Sequence, residues 1–146
     1  MKISIPDTIN LGANNLKGTI PKQLGRLHQL TFLSFQVNQL TGEIPAELGN
    51  LLSLRYLILF QNNLNGTIPS TLGRCSNLEN LIFNNNMLEG TIPPEIFNYR
   101  DLRWLWLSEN KLTGTIPSDI GENKLSNLNT RKSHIYVQLI FIPCIF

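Results

Sequence analysis

The sequence predicts an α/β solenoid of stacked 24-residue turns, because several features recur in one fixed register. The element Gly-x-Ile-Pro occurs five times, each 24 residues after the last, at Gly18, Gly42, Gly66, Gly90 and Gly114. An asparagine lies four residues before each of these glycines, at Asn14, Asn38, Asn62, Asn86 and Asn110. Repetition without insertions or deletions is typical of near-identical turns that stack side by side.

Each turn is predicted to contribute one short strand to a parallel sheet. Two apolar columns precede the asparagine by five and by three residues: Ile9, Leu33, Leu57, Leu81 and Leu105, then Leu11, Phe35, Leu59, Phe83 and Leu107. A spacing of two residues puts both columns on one face of a strand. A further column is expected to fill the far side of the same core: Leu16, Leu40, Leu64, Leu88 and Leu112.

The repeated asparagine is predicted to form a structural ladder. It lies where the chain leaves the strand and bends, and buried backbone groups at a bend need hydrogen-bond partners. A side-chain amide both donates and accepts, so each asparagine can serve its own turn and a neighbouring turn. The alternative is a series of exposed turn asparagines, but the common register favours the ladder.

The Gly-x-Ile-Pro element is predicted to lead into a single helical turn. Glycine is expected to supply a positive φ or a close approach between turns, isoleucine to pack inward, and proline to fix φ. Proline opens and glycine closes a segment too short for an α-helix, as in residues 45–49, which predicts short 3-10 turns. In the fourth repeat Phe97 replaces the closing glycine, so that turn departs from the pattern.

This layout resembles the plant-type leucine-rich repeat, L-x-x-L-x-L-x-x-N-x-L-x-G-x-I-P-x-x-L-G, over about residues 6–121. The resemblance implies a right-handed superhelical solenoid. A parallel sheet lines its concave face, a second short sheet lies near the Ile-Pro segment, and 3-10 turns form its convex face. Residues 1–121 are assigned to this solenoid, as a partial first turn, repeats at about 14–37, 38–61, 62–85 and 86–109, and a partial repeat at 110–121.

Proteins similar to this sequence are mostly extracellular domains of plant receptor-like kinases and receptor-like proteins, which act in signalling and defence. The resemblance implies a non-catalytic recognition module on the extracellular side of the plasma membrane. Its expected partners are a peptide or protein ligand and a co-receptor. Two alternatives stay open: a secreted protein similar to polygalacturonase inhibitors, and an inactive fragment of a truncated receptor gene. Neither a kinase domain nor a signal peptide is recognised within the chain.

The strand positions between the buried columns are predicted to face the concave side as four exposed columns. In order they are Thr8, Phe32, Tyr56, Asn80 and Trp104; Asn10, Ser34, Ile58, Ile82 and Trp106; Gly12, Gln36, Phe60, Asn84 and Ser108; and Ala13, Val37, Gln61, Asn85 and Glu109. Exposed apolar patches with a polar rim mark contact sites, and aromatic anchors carry binding energy. The predicted ligand-binding residues are Phe32, Tyr56, Ile58, Phe60, Gln61, Trp104, Trp106 and Glu109. The alternative is that these aromatics serve cross-strand packing.

Charge and residue pattern argue against other functions. Residues 1–121 hold nine Lys or Arg and nine Asp or Glu, so no basic stripe is present for nucleic acid. His28 and His134 lie 106 residues apart, and no phosphate loop or metal-ligand spacing occurs. We therefore expect no catalytic site, metal or cofactor.

Two single residues carry minor predictions. Asn65-Gly66-Thr67 is the one N-x-S/T sequon, and Asn65 would carry a glycan in a secreted chain. Cys75 shares a column with Leu27 and Leu51, which predicts a buried and inert thiol.

The register fails after Gly121, so residues 122–146 are predicted to be a non-repeat tail. Residues 135–146 are almost wholly apolar. They are fewer than the roughly 20 residues that a membrane-spanning helix needs, so no transmembrane span is expected in this chain.

Overall fold

The computed structural model describes residues 6–114, which form ten short strands and four 3-10 helices. The strands are β1 (Thr8–Asn10), β2 (Lys17–Gly18), β3 (Phe32–Ser34), β4 (Gln39–Glu43), β5 (Tyr56–Ile58), β6 (Asn63–Asn65), β7 (Asn80–Ile82), β8 (Glu89–Thr91), β9 (Trp104–Trp106) and β10 (Lys111–Thr113). The 3-10 helices are Lys22–Arg26, Ala46–Asn50, Ser70–Arg74 and Pro94–Asn98. The predictions for residues 1–5, for residues 115–121 of the partial last repeat and for the tail at 122–146 lie outside the described residues.

The odd-numbered strands form one parallel sheet in the order β1-β3-β5-β7-β9. Its register advances by one repeat at each step, since Leu57 pairs with Leu33 on one side and with Leu81 on the other. The even-numbered strands form a second, interrupted sheet, in which β2, β4 and β6 pair together and β8 pairs with β10. Parallel strands need a crossover connection, and here the second sheet and the 3-10 helix supply it. The predicted α/β solenoid is confirmed.

The core lies between the five-stranded sheet and the 3-10 helices, and it consists of repeated aliphatic layers. The opposite face of this sheet is the one that the sequence analysis predicts to be concave, and we keep the name concave face for it. Leu57 and Leu81 of the sheet are fully buried, and Ile44 and Ile68 of the Ile-Pro segments are only 2% exposed. Burying one such side chain contributes about 1.5–3 kcal/mol. Each layer is covered by its neighbours, so Leu59 in a central turn is fully buried whereas Leu11, two turns earlier in the same column, is 42% exposed.

Glycine at the end of the 3-10 helix lets successive turns pack closely. A Cβ atom on Gly49 would lie 2.6 Å from the carbonyl carbon of Thr71 in the next turn. Phe97 takes this position in the fourth repeat, and the chain still forms the 3-10 helix Pro94–Asn98 there. In the same repeat Tyr99 is buried, and its hydroxyl donates a hydrogen bond to the Leu72 carbonyl at 2.7 Å.

Counted from the start of one strand of the five-stranded sheet to the start of the next, each turn from that of Asn38 onward is bonded through its asparagine to the turn before it. Asn62 donates from Nδ2 to the Phe35 carbonyl of the preceding turn at 2.9 Å and to the Leu59 carbonyl of its own turn at 3.1 Å. Its Oδ1 accepts from the backbone N–H of Leu40, again in the preceding turn, at 3.1 Å. One side chain therefore satisfies backbone groups of two turns at the point where both strands end.

The same bonds recur along the stack. The Nδ2 atoms of Asn38, Asn86 and Asn110 donate to the carbonyls of Leu11, Leu59 and Phe83, and their Oδ1 atoms accept from the amides of Leu16, Leu64 and Leu88. Asn62 and Asn86 in the middle are 8% and 9% exposed. Asn14, in the first described turn, is exposed and donates to the Gly12 carbonyl within its own turn.

The residue before each ladder asparagine has a left-handed backbone conformation. The φ angles lie between 55° and 57° at Ala13, Val37, Gln61, Asn85 and Glu109. This conformation is uncommon for residues other than glycine, and it is most unfavourable for a β-branched residue such as Val37. The hydrogen bonds of the asparagine that follows hold the chain in this tight bend.

Replacing Asn62 by alanine is expected to lower the free energy of unfolding by roughly 2–4 kcal/mol, because it removes the side-chain acceptor of the Leu40 amide and one of the two side-chain donors to the Phe35 carbonyl. Asn62→Asp should lose a comparable amount near neutral pH, since an ionised carboxylate cannot donate to the carbonyls. Urea unfolding followed by circular dichroism measures both changes.

Asn14→Ala is the matched control, because it removes the same side chain at an exposed position and is expected to change stability by less than about 0.5 kcal/mol. Equal losses for Asn14→Ala and Asn62→Ala would contradict a structural role for the ladder.

Candidate functional site on the concave face

The predicted ligand-binding residues lie along one face of the five-stranded sheet. Trp104 and Trp106 are 37% and 38% exposed, and between them in β9 the side chain of Leu105 enters the core with 3% exposure. The other predicted residues are half-buried at Phe32, Tyr56, Ile58 and Phe60 and exposed at Gln61 and Glu109.

The apolar part of this face is continuous across neighbouring strands. Ile58, Ile82 and Trp106 are successive register partners on β5, β7 and β9. The rings of Phe32 and Tyr56 lie with centroids 5.8 Å apart and an interplanar angle of 42°. Ile82 was not among the predicted binding residues, but the register places it in the middle of this surface.

Two positions predicted to be exposed are buried instead. Ser34 is 0% exposed and Ser108 is 8% exposed, although both lie in predicted concave columns. The Ser34 hydroxyl donates to Oε1 of Gln36 at 3.1 Å. The expectation for these two residues is wrong because a serine side chain is too short to reach the surface that larger neighbours form.

The margin of this face at the carboxyl ends of the strands is largely polar, with Val37 and Phe60 as its apolar members. It carries the amides of Gln36, Gln61, Asn84 and Asn85, and Nδ2 of Asn84 donates to Oδ1 of Asn85 at 2.7 Å. A polar rim beside an apolar surface is the usual anatomy of a protein interface.

A charged cluster lies at the opposite margin, where the strands begin. It consists of Arg55, Tyr56, Glu79 and Arg103, and we call it the Glu79 cluster. Nε of Arg55 donates to Oε1 of Glu79 at 2.7 Å, and the Arg55 Nη2 atom pairs with the same oxygen. The Tyr56 hydroxyl donates to Oε2 at 3.2 Å, and Nε of Arg103 lies 3.5 Å from that oxygen. The Arg55 guanidinium also lies 5.6 Å from the centre of the Tyr56 ring, within cation–π distance.

The protonation state of Glu79 follows from these contacts. Burial by itself raises the pKa of the carboxyl, but the hydrogen bond and charge of Arg55, helped by Arg103 and the Tyr56 hydroxyl, outweigh it and lower the pKa below the ordinary glutamate value. The hydrogen bond to Glu79 likewise raises the pKa of Arg55. Glu79 is therefore ionised and Arg55 is protonated near neutral pH.

Sequence reasoning missed this cluster because its residue type changes from turn to turn. The positions just before the five strands hold Asp7, Thr31, Arg55, Glu79 and Arg103, so no column is conserved along the repeats. The available signal was the alternation of charge at equivalent positions of successive turns, since opposite charges on adjacent strands form stabilising pairs.

The two residues with minor predictions lie away from the concave surface. Cys75 is fully buried with Sγ 3.5 Å from the Leu48 carbonyl, and burial raises the pKa of its thiol to about 11. The thiol is therefore protonated and unreactive at neutral pH. Asn65 is exposed at the end of β6.

Within residues 6–114, no group of three His, Cys, Asp or Glu residues is arranged to hold a metal ion. None of the helices in this part of the chain has the length and hydropathy required to cross a bilayer.

A family model described as Leucine Rich Repeat matches residues 29–51, 53–75, 77–99 and 101–123, which is more than half of the chain. The chain therefore belongs to the leucine-rich repeat family. The comparison with curated proteins gives no match.

The chain is similar to solved ectodomains of plant receptors. The ectodomain of the receptor kinase GASSHO1/SCHENGEN3 from Arabidopsis thaliana, solved with CASPARIAN STRIP INTEGRITY FACTOR 2, is 42% identical, with a TM-score of 0.75 over 83% of this chain and 14% of that one. The plant peptide hormone receptor RGFR1, solved with RGF2, is 42% identical, with a TM-score of 0.76 over 77% of this chain and 18% of that one. The BIR3–SERK2 complex from Arabidopsis thaliana gives 37% identity and a TM-score of 0.73 over 77% of this chain and 60% of the matched chain. The chain thus spans less than a fifth of the two receptors solved with ligands.

The stability contributed by Glu79 is expected to depend on pH. Because its pKa is lowered in the folded chain, the contribution is complete above the unfolded glutamate pKa of about 4.3 and is lost as the pH falls through the folded value. Glu79→Gln should therefore cost roughly 1–2 kcal/mol at pH 7, after allowance for the exposure of both arginines, and less at pH 3. Urea unfolding of both proteins from pH 3 to pH 7 measures the difference.

Glu43→Gln serves as the control, because Glu43 is exposed and forms no ion pair with an arginine within residues 6–114. A difference in the free energy of unfolding between wild type and Glu79→Gln that stays constant from pH 3 to pH 7 would contradict the assigned role of the carboxylate.

Proposed function

We propose that this chain is a non-catalytic recognition module of a plant cell-surface receptor, and that its concave face binds a peptide or protein ligand. The observation that carries the proposal is the apolar surface of Ile58, Ile82 and Trp106 with the flanking aromatics Tyr56 and Trp104. This surface has a polar margin on one side and the charged Glu79 cluster on the other.

The exposure of the tryptophans favours binding over packing. Each leaves more than a third of its surface in water, although each has a cross-strand neighbour on β7. Tryptophan is among the residues most enriched at binding hot spots, where removing one side chain costs 2 kcal/mol or more. From β3 to β9 the face is about 14 Å wide, at about 4.8 Å per strand, which corresponds to about four residues of an extended peptide.

The related structures support this kind of ligand. RGFR1 is a peptide hormone receptor solved with RGF2, and BIR3 and SERK2 form a complex with one another. By analogy the ligand of this chain is a peptide, and a second receptor ectodomain acts as its co-receptor.

The location that we propose for this chain is the extracellular side of the plasma membrane. The parent is a receptor-like kinase or a receptor-like protein, and the gene sequence that follows this region decides between them: a membrane span with a kinase domain selects the first, and a span without one selects the second.

Replacing Trp104 and Trp106 together by alanine is expected to weaken ligand binding at least 30-fold, because each removes a large apolar anchor from the face. The probe is a library of random twelve-residue peptides displayed on phage and selected on the 146-residue chain. Selected peptides are then synthesised and titrated. Since both tryptophans of the chain lie on this face, intrinsic fluorescence of the wild type reports its occupancy directly.

A double change of Leu52 and Met87 to alanine is the matched control, because both are exposed apolar residues outside the strands of the concave sheet. It should leave binding unchanged. Unchanged affinity in the tryptophan variant, with circular dichroism showing an intact solenoid, would contradict the proposal that the concave face binds the ligand.

The sequon at Asn65 is a second expected feature of an extracellular chain. Its asparagine is exposed, and so is the sequon threonine, Thr67. Secretion of the chain from plant cells behind a heterologous signal peptide should give a glycoprotein whose mass falls after treatment with an N-glycosidase. Thr67→Ala should abolish that change in mass, and a wild-type mass that the glycosidase leaves unaltered would rule out this glycan.

A further inference from the structure

The Glu79 cluster presents positive charge to solvent and keeps its negative charge below the surface. The side chain of Glu79 is 8% exposed, whereas those of Arg55 and Arg103 are 51% and 64% exposed. A ligand approaching this margin therefore meets two guanidinium groups before it meets the carboxylate.

Most of the hydrogen-bonding capacity of these arginines is not used within the cluster. Each guanidinium has five N–H donors. Arg55 directs its Nε and Nη2 groups at Glu79, and Arg103 approaches Glu79 only at an ion-pair distance of 3.5 Å. The donors that remain suit a planar acceptor such as a carboxylate, which a guanidinium binds with two parallel hydrogen bonds.

The backbone fixes the two arginines relative to each other. The Glu79 amide donates to the Arg55 carbonyl at 2.8 Å, and the Arg103 amide donates to the Glu79 carbonyl at 2.6 Å. The two arginines are therefore two strand spacings apart, about 10 Å between backbones. Contacts of Arg55 with the Tyr56 ring and with Glu79 restrict its side chain further. Such restriction lowers the entropy that a ligand loses on binding.

The cluster is adjacent to the apolar surface of the proposed binding face. Tyr56 belongs to both, and it lies in the same sheet column as Trp104, with Asn80 between them. Glu79 balances one of the two arginine charges. The charge of the exposed Asp101 also raises the pKa of Arg55, less than Glu79 does, so Asp101 is an anion with which a ligand carboxylate competes.

We propose that Arg55 and Arg103, held in place by Glu79, form a recognition point for a side-chain carboxylate of a peptide whose apolar residues lie on Ile58, Ile82 and Trp106. This inference rests on the proposed function of the concave face and adds the ligand class, which is an acidic peptide with an adjacent apolar segment.

The test uses the same phage-displayed random peptides, with the composition of the selected peptides as its measurement. Wild type should enrich Asp or Glu at one position beside an apolar segment. The triple variant Arg55→Gln, Glu79→Gln, Arg103→Gln should select apolar peptides without that enrichment. Changing all three residues removes the charges together, so no buried carboxylate is left without its partners.

A control variant changes Arg26 and Arg74 to Gln, since both are exposed arginines at the ends of 3-10 helices. It should retain the acidic preference. For one selected peptide, changing its acidic residue to the amide should weaken binding to wild type about 10-fold or more, as the loss of a charged hydrogen bond predicts. The same acid-to-amide change in the peptide should alter its affinity for the triple variant little.

The outcomes separate the two proposals. Two results would contradict the arginine site but not the concave binding face. In the first, the selected peptides need Trp104 and Trp106 for binding but are not enriched in Asp or Glu. In the second, the enrichment in Asp or Glu persists when the triple variant is used for selection. Selection that does not depend on Trp104 and Trp106, or the absence of any enriched peptide, would overturn both.

Discussion

The side-chain amide of the repeated asparagine is the interaction on which this stack of turns depends. Where a strand ends and the chain bends, backbone groups turn into the core and lose access to water. Asn86 supplies an acceptor to the Leu64 amide and donors to the carbonyls of Leu59 and Phe83. Because these partners belong to two turns, the ladder fixes the register of each turn on the one before it, and the leucine layers then close between them.

A fixed register also determines the chemistry of the concave face. Residues 24 positions apart lie side by side on neighbouring strands, so a change in an exposed column alters the surface while the core beneath it stays the same. Ile58, Ile82 and Trp106 form a continuous apolar strip for this reason. Arg55, Glu79 and Arg103 form an alternating charge cluster for the same reason, and the scaffold therefore sets where chemistry is displayed but not which chemistry it is.

Features that recur in every turn could be predicted from the sequence, and features that depend on local size or on a single repeat could not. The strand centred on Leu57 and the bond pattern of Asn62 follow from columns that keep one residue type. Burial of Ser34 depends on the lengths of its neighbours, and the left-handed conformation at Val37 is adopted by a residue that disfavours it. The repeat pattern contains no signal for either of these two features. For the Glu79 cluster its only signal is the alternation of charge between successive turns.

Amide hydrogen exchange at Leu64 tests the role of the ladder most directly, because its backbone N–H donates to a side chain, Oδ1 of Asn86, at 3.0 Å. Leu59 provides the reference within the same turn, since its N–H donates to the Ile82 carbonyl of the adjacent strand at 2.8 Å. If the asparagine holds the stack, Leu64 exchanges as slowly as Leu59, and both open only when neighbouring turns separate. Exchange of Leu64 at the rate of an exposed loop amide, with Leu59 still protected, would contradict this account.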